Sequence, residues 1–93
     1  MDDLLAEVAV ERATTLAQLG RRLDATIARL RAIETDPMTW EDRVAAHRAA
    51  RTELRELRWE MTVVKEAMGV KGVRADLDRF WPMPRPLHDP GPG

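Results

Sequence analysis

Residues 33–40 read Ile33-Glu34-Thr35-Asp36-Pro37-Met38-Thr39-Trp40. Pro37 cannot continue a helix arriving from Ile33, because it has no N–H and its ring clashes with the carbonyl four residues back. It can open the next helix, where that N–H would be unsatisfied anyway, with Asp36 before it as the cap. Thr39, three residues before Asp42, offers a second start. The stretch reads as a break between two helices, and what flanks it decides the fold.

Outward from this break, large apolar residues fall into facing pairs. Ile33 faces Trp40, Leu23 faces Ala50, Leu19 faces Leu54, Leu16 faces Leu57, Ala9 faces Val64 and Leu5 faces Met68. A heptad frame generates the pairs. In a first helix from Asp3 to Glu34, Ala9, Leu16, Leu23 and Leu30 take the a positions, and Leu5, Arg12, Leu19, Thr26 and Ile33 the d positions. In a second helix, from Pro37 or Trp40 to Met68, Trp40, His47, Leu54, Met61 and Met68 take a, and Arg43, Ala50, Leu57 and Val64 take d. Layers of a against d describe two antiparallel helices sharing a coiled-coil seam. Thr26 opposite His47 makes one polar layer, with a hydrogen bond expected between them. Arg22 and Glu53 face each other on the g flank. Arg12 and Arg43 fall opposite Met61 and Leu30, near the ends of the seam, where a long side chain reaches water.

Beyond Gly69 the pattern changes. Gly72 can precede a short helix from Val73 to Phe80, and prolines at 82, 84, 86, 90 and 92 then favour extended backbone. The expected fold is all-α: an antiparallel two-helix coiled-coil hairpin over residues 1–69, then a short third helix and an extended Pro-rich C-terminal tail over 70–93.

Composition narrows the chemistry. Cys, Ser, Asn and Tyr are absent, which removes the usual thiol and hydroxyl nucleophiles and thiolate metal sites. His47 and His88 are the only histidines, and neither belongs to a cluster with metal-ligand spacing. No enzymatic activity, cofactor or metal is expected. Fifteen basic against sixteen acidic residues leave no bulk field to attract nucleic acid. No apolar run reaches the ~18 residues that suggest a membrane span. The acidic start Met1-Asp2-Asp3 is unlike a signal peptide, so a cytoplasmic location is expected.

What remains is surface. Trp59 lies opposite the seam with Val63 beside it, and Leu77, Phe80 and Trp81 are too apolar to leave in water. These five, with Pro82 and Pro84 as stiff guides, are the candidate partner-binding residues; docking on a protein partner is expected, and folding back over Trp59 and Val63 is the alternative. Val10, Ala13, Ala17, Gly20 and Ile27 line the first helix outside the seam, where small side chains allow close approach of another helix. They are the candidate self-association residues for a homodimer, closed as a four-helix bundle. Arg48, Arg51, Arg55, Arg58 and Lys65 form a basic stripe. An alternative is a small nucleic-acid-associated or regulatory protein using that stripe, but Glu53, Glu56 and Glu60 line the other flank and no aromatic interleaves it for base stacking. The expected function is a non-enzymatic structural or interaction protein, a small subunit or adaptor that self-associates or docks in a larger assembly.

Overall fold

A computed structural model describes residues 2–87; the expectations for His88, Pro90 and Pro92 lie outside them. Three helices follow one another: α1 (Asp2–Thr35), α2 (Trp40–Ala67) and α3 (Val73–Phe80), with no strand among the described residues. The two long helices pack on each other, and α3 packs on α2. The molecule is elongated, 67 × 23 × 15 Å.

Local chemistry sets the boundaries. Pro37 lies in the connection and opens no helix. Thr39 caps α2, its hydroxyl accepting from the Asp42 N–H at 3.1 Å, and Glu41 and Asp42 place negative charge in the first turn. The last turn of α1 carries no basic residue of its own. Arg43 supplies that charge from α2: its guanidinium donates to the carbonyls of Ile33 and Asp36, groups an isolated helix end leaves unpaired. Gly69, at φ 78°, ends α2, with the Val70 N–H donating to the Lys65 carbonyl.

The cross-helix contacts run in opposite order along the two chains, so α1 and α2 are antiparallel. Their alignment differs from the expected one. Arg29 pairs with Glu53 at 2.7 Å and Arg22 approaches Glu60 at 4.0 Å, each one heptad along from the partner the facing pairs assign. The seam flanked by these pairs sets Leu19 with Met61, Leu23 with Leu57, Thr26 with Leu54, Leu30 with Ala50 and Ile33 with His47. All of these are buried. Leu16 is only half-buried, while Leu5, Met68 and Trp40 are exposed. The placement of the arginines favours the observed alignment. In the expected alignment Arg12 and Arg43 sit opposite Met61 and Leu30 and reach water only past apolar neighbours; one heptad along, Arg12 is exposed at the open end of the seam and Arg43 passes the end of α1 and donates to its carbonyls. These contacts offset part of the exposure of Leu5 and Ala9.

The polar layer is also revised. Thr26 donates to the carbonyl of Arg22, one turn back in its own helix, at 2.8 Å. His47 is buried beside Ile33, and its Nε2 has no partner among the described residues.

Candidate partner-binding surface

The chain after Gly72 is laid along the hairpin. Val73 and Leu77, one turn apart on α3, are buried and join the α1–α2 core. Trp81 follows at the end of α3, half-buried, over Gly20; a methyl group at Gly20 would lie 4.0 Å from its ring. The indole N–H donates to the Asp24 carboxylate at 2.7 Å. Prolines donate no backbone hydrogen bond but still accept, and α2 supplies donors to match. Arg58 donates to the Trp81 carbonyl at 3.0 Å and to Asp78 at 2.5 Å, and Arg51 donates to the Pro84 carbonyl at 2.9 Å. Met83 packs against the core between them.

This arrangement sorts the candidate residues. Leu77 belongs to the protein's own core, and Trp81 and Pro84 are held against the hairpin. The segment folds back on its own chain, but not along the path over Trp59 and Val63 given as the alternative to partner docking. It follows the flank of Gly20, Asp24, Arg51 and Arg58, and Trp59 and Val63 stay exposed. Of the aromatic pair, Phe80 alone stands in solvent, 58% exposed with Arg79 over its face at 5.4 Å. Among the self-association candidates, Gly20 lies under Trp81 and Ile27 packs against the core, whereas Val10, Ala13 and Ala17 are exposed. The basic stripe is divided: Arg51 and Arg58 hold the C-terminal segment, and Arg48, Arg55 and Lys65 do not share that task.

Between the outer face of α2 and the α3 segment lies a groove of about 460 Å³, lined by Trp59, Thr62, Leu77 and Met83 with Arg55, Arg58, Arg74 and Glu66 around it. Trp59 is 68% exposed at its edge. Neither Arg55 nor Arg74 was singled out as a groove residue from the sequence; they meet only because α3 folds onto α2.

Among the described residues, two titratable groups carry perturbed pKa values. Burial pushes the His47 imidazole below its ordinary 6.5, with Glu34 raising it and Arg51 lowering it further. A hydrogen bond from Arg29 holds the Glu53 carboxyl below the usual carboxylate range. Beside His47 is a cavity of about 50 Å³ walled by Val44, Arg48, Arg51, Pro86 and Leu87. No three His, Asp or Glu side chains converge in metal-binding geometry among the described residues, and no helix there is long and apolar enough to cross a membrane. Compared with known protein families, curated proteins and solved structures, the chain matches none.

Proposed function

We propose that this chain is a non-enzymatic structural or interaction protein of the cytoplasm, a coiled-coil hairpin that self-associates or docks as a small subunit in a larger assembly. The observation that carries the reading is Trp59, 68% exposed on the rim of a groove with an apolar floor and arginines around it. Tryptophan and arginine around a desolvatable pocket are the side chains that dominate protein–protein affinity. The C-terminal segment contributes as a wall: Leu77 and Met83 shape the groove, and Phe80 adds a second exposed aromatic close by.

Affinity capture from the source cells tests this. The tagged wild type should retain a protein partner, and Trp59→Ala combined with Phe80→Ala should lose it while helicity by circular dichroism is unchanged. Equal retention by both proteins would overturn the assignment of this face. Capture that disappears on nuclease treatment would favour the nucleic-acid reading.

A further inference from the structure

The alignment of the hairpin leaves one end of the molecule incomplete. α2 stops at Ala67, opposite about Arg12, and α1 runs on to its start without a helix beside it. Every residue from Asp3 to Thr15 is exposed. The projecting segment is not polar. Leu4 and Leu5 are 65% and 70% exposed, Val8 and Val10 follow them in solvent, and Val63 and Met68 are exposed toward the end of α2. The heptad frame continues through it, with Leu5 at d and Ala9 at a. Where α1 leaves α2 the two helices enclose an open groove of about 330 Å³ lined by Val8, Thr15, Val63, Val64 and Ala67, with Glu11 and Arg12 also on its wall.

We propose that a second copy of this chain completes that end, the projecting start of each α1 lying antiparallel to the other and setting Leu4 and Leu5 into the partner copy's groove. Two features select a second copy over another helix. First, the knob and the hole occur on the same molecule within a few helical turns. A two-fold axis near Val8 therefore satisfies both at once and closes the assembly. Second, the charges complement each other across that axis. The projecting segment carries Asp3, Glu7 and Glu11 against Arg12 alone, whereas the far end of α2 and its connection to α3 carry Lys65 and Lys71 against Glu66. An antiparallel pair brings Asp3 and Glu7, toward the start of each projecting segment, to the side of Lys65 and Lys71 of the other copy. This steers the encounter and disfavours a parallel pairing of like charges.

This dimer deepens the self-association part of the proposed function and leaves Trp59 free, so the two fail separately. Sedimentation equilibrium of the full chain is the test. The wild type should dimerise with a dissociation constant at or below about 10 µM. Leu5→Glu should weaken the dimer by roughly 30-fold or more, as expected of a central interface residue, with helicity unchanged because Leu5 makes no core contact within one chain. Lys65→Glu with Lys71→Glu should also weaken it, and adding Asp3→Lys and Glu7→Lys should restore it. A wild type that stays monomeric overturns the proposal. So does a dimer that tolerates Leu5→Glu but is broken by Ala17→Trp, which would place the interface on the small-residue stripe. Loss of partner capture by the Trp59 variant, with the dimer intact, bears only on the function proposed above.

Discussion

His47 sits in the seam with its ring buried and one nitrogen unpaired, so its protonation is tied to folding. The unfolded chain takes up the proton near the ordinary 6.5, whereas the folded imidazole resists it because of burial and Arg51. The folded state is therefore undisturbed above about pH 6.5 and loses stability as pH falls from there through the lowered native value. Urea denaturation at a series of pH values should show this slope. His47→Leu, which also removes an unsatisfied buried group, should flatten it and raise stability by about 1 kcal/mol at neutral pH. A wild-type profile as flat as the variant's would show that the ring is solvated. The heptad pattern locates His47 in the seam but not its neighbour. Thr26 is a poor guide, because a helical threonine has an acceptor of its own one turn back and needs no partner across the interface.

At the scale of elements, the bounds of α3 are legible from Gly72 and from the spacing of Val73 and Leu77, but the destination of the chain beyond it is not. Proline carbonyls carry no signal in a hydrophobic pattern, and Arg51 and Arg58 look like members of a charged stripe until Trp81 and Pro84 are placed beside them. One signal was present: Gly20, without a side chain, leaves a notch on the flank of α1, and the Trp81 ring lies over it. The aromatic pair is accordingly unequal. Trp81→Ala should destabilise the protein by roughly 2 kcal/mol, less than a fully buried tryptophan because part of the side chain remains accessible to water. Phe80→Ala should cost no more than about 0.5 kcal/mol, as for an exposed site. Chemical denaturation of the two variants measures both. Equal, negligible losses would mean that the C-terminal segment is held only weakly on the hairpin in solution.

For the whole molecule, the alignment of α1 against α2 fixes the rest: which end projects, where the groove opens and where Trp81 finds its notch. The two long helices are readable from Leu16, Leu19, Leu23, Leu54, Leu57 and Met61. Their alignment was not, because sliding one helix by seven residues keeps every a layer against a d layer. What favours the observed alignment is carried by few residues: Thr39 starting α2 after the Pro37 turn, Arg43 donating to the carbonyls at the end of α1, and Arg12 left in water. The chain has no cysteine, so a pair can be introduced cleanly. Oxidation of Leu19→Cys combined with Met61→Cys should give an intramolecular disulfide in high yield, while Leu19→Cys combined with Leu54→Cys should not, the two sites being displaced by about 10 Å along the helix axes. Efficient closure of the 19–54 pair and failure of the 19–61 pair would contradict the alignment, and with it the projecting end of α1.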